Sequence, residues 1–128
     1  MALLLNLHGS KPAEAQPVVT SQYYCLMDSR SGQLLTGKNM HMPRPVASTT
    51  KMMTAILTMD YTGLNEIASV SPHADKTAEY TIGLRAGQTL PLQELMKAAL
   101  ICSANDAAVV LAEHVAGDEA LFAHLMSC

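Results

Sequence analysis

Apolar residues change their spacing along this chain, and those changes predict its elements. Residues 18–27 are rich in Val, Thr, Tyr, Cys, Leu and Met, types that suit a strand. Asp28-Ser29-Arg30-Ser31-Gly32 is a turn cluster, and Gln33-Leu34-Leu35-Thr36-Gly37 reads as a return strand. The two predict a β-hairpin whose loop exceeds two residues. Residues 38–46 carry Pro43 and Pro45 and predict an extended connection. A helical period follows. Met52, Met53, Ile56, Leu57 and Met59 form its apolar face, Ser48, Thr49 or Thr50 its cap, and Gly63 its end. Residues 66–70 read as a short strand, and residues 81–90, with Gly83 and Gly87, as strand and turn. Pro91 then opens a helix through Leu92, Leu95, Met96, Ala99 and Leu100. Ser103-Ala104-Asn105-Asp106 interrupts the apolar pattern and caps a further helix over 107–115. Gly117-Asp118 breaks that helix, and a last one starts near Glu119. There is no internal repeat and no low-complexity tract.

Composition narrows the function classes. The 128 residues are 49% hydrophobic and 15% charged, which supplies a core and is not a disordered composition. The net charge of −3 comes without a basic cluster, and aromatic residues make up only 4%, so nucleic acid is not an expected partner. No apolar run reaches the roughly 18 residues of a membrane span, so a membrane anchor is not expected within this chain. Cys25, Cys102 and Cys128 make neither a disulfide framework nor a zinc spacing, and the five histidines are scattered. No metal or other cofactor is expected. Residues 1–15 resemble the back half of a secretory signal peptide: Leu3-Leu4-Leu5 is apolar and Ala13-Glu14-Ala15 fits a small-x-small cleavage site. That predicts export, a first mature residue at Gln16, and one partial domain over 16–128.

The candidate chemistry lies in two boxes. Ser48-Thr49-Thr50-Lys51 is S-x-x-K, and Ser103-Ala104-Asn105 is S-x-N. A serine and a lysine three apart share one helix face, so the amine can reach the hydroxyl and take its proton. Serine is a poor nucleophile without such a base. A helix start also presents unpaired N–H groups that favour an oxyanion. Lys51 must be partly neutral to accept a proton, and burial beside Met52 and Met53 would favour that form. In the second box, Ser103 would shuttle a proton to the leaving amine. Asn105 would bind a substrate amide and hold Lys51. Each box alone is also an ordinary capping sequence; their order and placement at helix starts favour the functional reading.

The two boxes are two thirds of the signature of penicillin-binding proteins and class A β-lactamases. Further blocks agree: residues 27–35, residues 44–55, Ile82-Gly83-Leu84-Arg85-Ala86-Gly87-Gln88, Ser103-Ala104-Asn105-Asp106-Ala107-Ala108 and residues 111–117. Over roughly residues 20–127 the chain resembles the start of the serine D-alanyl-D-alanine carboxypeptidases, the low-molecular-mass penicillin-binding proteins. The resemblance implies an α+β, β-lactamase/transpeptidase-like fold, here an N-terminal hairpin and helical cluster without the later sheet strands. It implies trimming of peptidoglycan stem peptides ending in D-Ala-D-Ala, and acylation by β-lactams. Ser48 is then the nucleophile, Lys51 its base, and Ser103 and Asn105 the second box.

The chain departs from that pattern in lacking the third box, K-T-G on a strand, which in the family grips the substrate carboxylate. Lys76-Thr77-Ala78 is no substitute, because it precedes the second box and ends in alanine. Ala104 stands where many relatives have glycine, which is tolerable if φ there is negative. Two alternatives follow: a non-catalytic remnant that binds peptidoglycan or a partner, and a class A β-lactamase fragment. The second fits less well, because Ser-Ala-Asn departs from Ser-Asp-Asn and no Glu is placed as a deacylating base.

Overall fold

The computed structural model describes residues 18–127; the signal-like segment 1–15 and Cys128 lie outside them. Contacts divide the chain into two units, Met1–Arg44 and Pro45–Cys128.

In the first unit, β1 (Tyr24–Met27) pairs antiparallel with β2 (Leu34–Lys38), with Tyr24 opposite Lys38 and an irregularity at Leu26/Met27. The predicted hairpin is present, with shorter strands. Asp28 builds its turn by accepting from the Ser31 hydroxyl at 2.7 Å and the Ser31 N–H at 2.8 Å. These bonds, the hydroxyl first, hold the Asp28 carboxyl below its ordinary value. Gly32 supplies the left-handed residue, at φ 69°. The Arg44 guanidinium lies 4.5 Å from the centre of the Tyr23 ring.

In the second unit, a 3-10 turn (Ala47–Thr49) leads into α1 (Thr50–Tyr61), then β3 (Ile67–Ser69), α2 (Pro72–Asp75), β4 (Thr89–Pro91), α3 (Leu92–Ile101), α4 (Asn105–Ala116) and α5 (Glu119–Leu125). Strands β3 and β4 pair antiparallel, with Ala68 opposite Leu90. The core is built mainly on α3 and α4. Leu92, Leu95, Ala107 and Leu111 are fully buried, and Ala55, Ala68, Val70, Ala74 and Leu84 pack into the same cluster. Many of these are alanines, which lets the elements approach closely. One dipeptide separates α4 from α5: Gly117 at φ 88° ends the first, and the Asp118 side chain caps the second by accepting from Leu121 N–H at 2.7 Å.

Three sequence expectations are corrected. The face of α1 that packs is Thr54, Ala55 and Thr58, whereas Met52, Met53, Ile56 and Met59 are 60%, 42%, 45% and 50% exposed. The small stripe is the one that admits a neighbouring helix. Thr58 enters the interior with its hydroxyl satisfied, since Thr58 Oγ1 donates to Thr54 O at 2.8 Å. Next, neither α1 nor α4 has a side-chain cap, and α4 begins at Asn105, two residues earlier than predicted. The Asp106 carboxylate is spent on a neighbouring loop instead. Finally, residues 81–88 are loop rather than strand; pairing begins only at Thr89. The short helix α2 was not anticipated, although Ser71-Pro72 is a cap followed by proline at the first helical position, with Ser71 Oγ accepting from His73 and Ala74 N–H.

Candidate active site

The 3-10 turn decides what the Ser48 hydroxyl is free to do. Thr49 is the N-cap of α1 but makes no side-chain cap, and its own hydroxyl donates back to Val46 O. None of the three hydroxyls at this helix start is committed to α1, so Ser48 keeps its hydroxyl for chemistry. Ala47, just before it, has φ 48°, a strained value for a residue with a Cβ.

The second box meets the first through its serine. Cys102 ends α3, Ser103 follows at φ 57°, and Ala104 N–H donates to Ala98 O at 3.1 Å. A left-handed residue after a helix is usually glycine, and here the strain falls on a serine. Its hydroxyl is placed between the two residues of the first box. Lys51 Nζ donates to Ser103 Oγ at 3.3 Å, and Ser103 Oγ donates to Ser48 Oγ at 2.7 Å. The hydroxyls are rotors, so the shared proton can run either way along this line.

This arrangement refines the expected geometry. Among the described residues, the hydrogen-bond partner of Lys51 is Ser103, and the amine reaches Ser48 only through it. Met52 and Met53 do not bury Lys51, since both point to solvent. No carboxylate pairs with Lys51 among the described residues.

Asn105 also differs from expectation. Its Nδ2 donates to Glu79 O at 3.2 Å and its N–H to Tyr80 O at 2.8 Å; no bond to Lys51 is present among the described residues. Ala104 sits at φ −65°, so alanine costs nothing in backbone strain there. Asp106 is the residue that sequence reasoning treated only as a cap. It is 1% exposed and accepts from Ile82 N–H at 3.2 Å and Leu84 N–H at 3.0 Å. An acid directly after the box and facing an apolar helix was the available signal, because a buried carboxylate needs several donors.

Ser48, Lys51, Thr77 and Asn105 line one open cleft of about 740 Å³, floored by Ala108, Val109, Ala112 and Phe122. His73 and Glu119 line it too, paired at 3.1 Å. Lys76, the terminal residue cap of α2, and Thr77 after it lie on no strand, in keeping with their exclusion as a third box. Nearby, the Ala86 N–H and then Arg85 hold the Asp75 carboxyl below its ordinary value. Chemically, the site offers an exposed hydroxyl, a second hydroxyl as relay and an amine at the far end, which is the equipment of acyl transfer.

Residues 10–128 match the family model for D-alanyl-D-alanine carboxypeptidase. The D-alanyl-D-alanine carboxypeptidase DacB2 of Mycobacterium tuberculosis is 32% identical over 118 residues, covering 91% of this chain and 39% of that protein. A solved D-alanyl-D-alanine carboxypeptidase from the same organism superposes with a TM-score of 0.80 at 27% identity, over 91% of this chain and 45% of that one. A β-lactamase from Xanthomonas campestris follows at 0.57 and 25%, over 80% of this chain and 40% of that one. The chain thus spans about two fifths of the length of these relatives, and its elements are those of the penicillin-binding and β-lactamase-like fold. With the hydroxyl–hydroxyl–amine line, the fold and the match over nearly its whole length agreeing, the chain belongs to the D-alanyl-D-alanine carboxypeptidase family.

Proposed function

We propose that the cleft is the acylation site of a serine-type D-alanyl-D-alanine carboxypeptidase, acting on peptidoglycan stem peptides outside the cytoplasmic membrane. The observation that carries this reading is the line Lys51–Ser103–Ser48. Ser48 Oγ attacks the carbonyl of the penultimate D-alanine while its proton passes through Ser103 Oγ to the Lys51 amine. Ser103 then delivers a proton to the departing nitrogen, the C–N bond breaks, and the terminal D-alanine leaves. Water hydrolyses the ester on Ser48 by the same relay in reverse. A β-lactam enters the same way, but its leaving nitrogen stays tethered and the ester persists. Residues 16–128 supply this nucleophilic half of the site, and residues 1–15 direct export.

The carboxylate-gripping K-T-G is not in these residues. Turnover by this chain alone is therefore expected to be weak, since the substrate loses an anchor that aligns it. A second reading, a non-catalytic binding remnant, draws its support from the exposed methionines of α1. One experiment decides between them. Incubation with a fluorescent penicillin should label the chain, intact mass should rise by one adduct, and Ser48→Ala should abolish both. Labelling that persists in Ser48→Ala shows the nucleophile to be another residue; no labelling of the native chain favours the binding remnant.

A further inference from the structure

Thr54 is 6% exposed and lines the cleft that holds Ser48 and Lys51. Its carbonyl accepts from Thr58 Oγ1, but its own hydroxyl has no hydrogen-bond partner among the described residues. A polar group placed so deeply is normally paired, because an unpaired one forfeits the hydrogen bonds that water gave the unfolded chain. Among the described residues, the fully enclosed side-chain atom without a partner is Glu113 Oε2. The Thr54 hydroxyl is therefore not enclosed, and it opens on the cleft. The floor of Ala108, Val109, Ala112 and Phe122 has no polar side-chain atom to bond it.

Lys51 is short of partners in the same place. Its amine has two donors and a lone pair when neutral, and three donors when charged. Ser103 Oγ meets it at 3.3 Å, and no carboxylate pairs with it among the described residues. Thr54 follows Lys51 by three positions on α1, so their Cβ atoms lie about 5–6 Å apart on one face. Helix side chains lean toward the N-terminus, which inclines Thr54 toward Lys51. Two hydrogen bonds of about 2.8–3.0 Å, end to end, span a gap of that order, and one water supplies both.

We propose that Thr54 is a positioning residue for Lys51: its hydroxyl holds a water that bonds the amine and keeps it aimed at Ser103. The proposal rests on the reading of the cleft as an acylation site, and it adds the far end of the proton line. When Lys51 takes the Ser48 proton, the ammonium gains a third N–H. The water accepts that N–H and donates to Thr54 Oγ1.

Three variants separate this role from packing. Thr54→Val keeps the shape and removes the hydroxyl. Thr54→Ser keeps the hydroxyl and removes a methyl. Thr54→Ala removes both and leaves room for a second water. Thr54→Val should slow labelling by a fluorescent penicillin about tenfold, the equivalent of one hydrogen bond to a charged group. Thr54→Ala should slow it less, because the added water replaces the hydroxyl, and Thr54→Ser should label at the native rate. Melting temperatures should run the other way, with valine above alanine, as packing alone dictates. Native-rate labelling of Thr54→Val, or a labelling order that follows the melting temperatures, overturns the proposal. A second measurement does not use the nucleophile. A high-resolution crystal structure of the native chain should show a water within hydrogen-bond distance of both Thr54 Oγ1 and Lys51 Nζ, and that of Thr54→Val should not. No such water in the native chain, or the same water in Thr54→Val, overturns the bridge even where Ser48 is labelled. Its presence in a native chain that no penicillin labels keeps the bridge and removes the acylation reading.

Discussion

Ser103 carries both backbone strain and the middle of the proton line, and a pair of substitutions separates the two. Ser103→Ala removes the hydroxyl and keeps a Cβ at φ 57°. Ser103→Gly removes the hydroxyl and relieves that strain. Each variant loses the bonds to Lys51 at 3.3 Å and to Ser48 at 2.7 Å. At about 0.5–1.5 kcal/mol net for each bond, alanine should destabilise the fold by roughly 1–3 kcal/mol. A left-handed L-residue costs about 1–2 kcal/mol, and glycine returns about 0.4–1 kcal/mol of that through the freer unfolded chain. The glycine variant should therefore be more stable than the alanine variant by roughly 0.5–1 kcal/mol, or about 2–4 °C in melting temperature. Chemistry should not follow stability. Both variants lose the relay, so acylation by a fluorescent penicillin should fall about 10²–10⁴-fold in each, the usual range for general acid–base assistance. The assay is the second-order labelling rate beside a thermal melt. Native-rate labelling of Ser103→Gly would refute the relay, because the proton would then reach Lys51 without the hydroxyl.

Other outcomes follow from single groups. Lys51→Arg should keep the melting temperature but lose labelling, since a guanidinium stays protonated and accepts nothing; rapid labelling of that variant removes lysine as base. Asp75 titrates below its ordinary value of 3.8, so its contribution to stability is full above that pH and is lost as pH falls through the lower folded value. Melting temperatures of native chain and Asp75→Asn should accordingly differ at neutral pH and converge below about pH 4; a constant gap down to pH 2 would contradict this. Asp118→Ala removes the cap bond to Leu121 and should cost about 1 kcal/mol, with little effect on labelling of Ser48. Finally, the chain expressed alone should release little D-alanine from a diacyl-D-Ala-D-Ala peptide and melt broadly, and a sharp two-state melt with robust release would show that other residues replace the third box.

The parts legible in the sequence were those set by local chemistry. Asp28 to Gly32 announces its turn because the carboxylate, the Ser31 hydroxyl and a glycine free to take φ 69° act within five positions. Gly117-Asp118 announces a helix end and a helix start for the same reason. The two boxes were legible as types, and their meeting was foreseeable from their order. The route of the proton was not. It depends on Ser103 adopting φ 57° after α3, a conformation that no residue-type preference favours for serine and that tertiary contacts impose. The bond expected from Asn105 to Lys51 is absent among the described residues for a similar reason, because the partner of its amide is a carbonyl of a strained turn distant in sequence.

The error over α1 has a consequence for the site. Periodicity finds large apolar residues, and it assigned the interior to Met52, Met53, Ile56, Leu57 and Met59, of which only Leu57 is half-buried. The interior took Thr54, Ala55 and Thr58 instead, because the Thr58 hydroxyl bonds within the helix and can be buried, and small side chains allow α1 to approach α4. Rotating α1 to bury the methionines would carry every residue of the helix with it. Lys51 shares its first turn, and Thr54 lies one turn beyond Lys51, so the face that packs on α4 is also the face that points the amine at Ser103. The exposed methionines are then the counterpart of a correctly aimed lysine. Thr54→Met tests that link, since a bulky side chain there should push α1 away from α4. It should lower labelling of Ser48 well beyond its effect on folding, whereas Ile56→Thr, on the exposed stripe, should leave labelling unchanged.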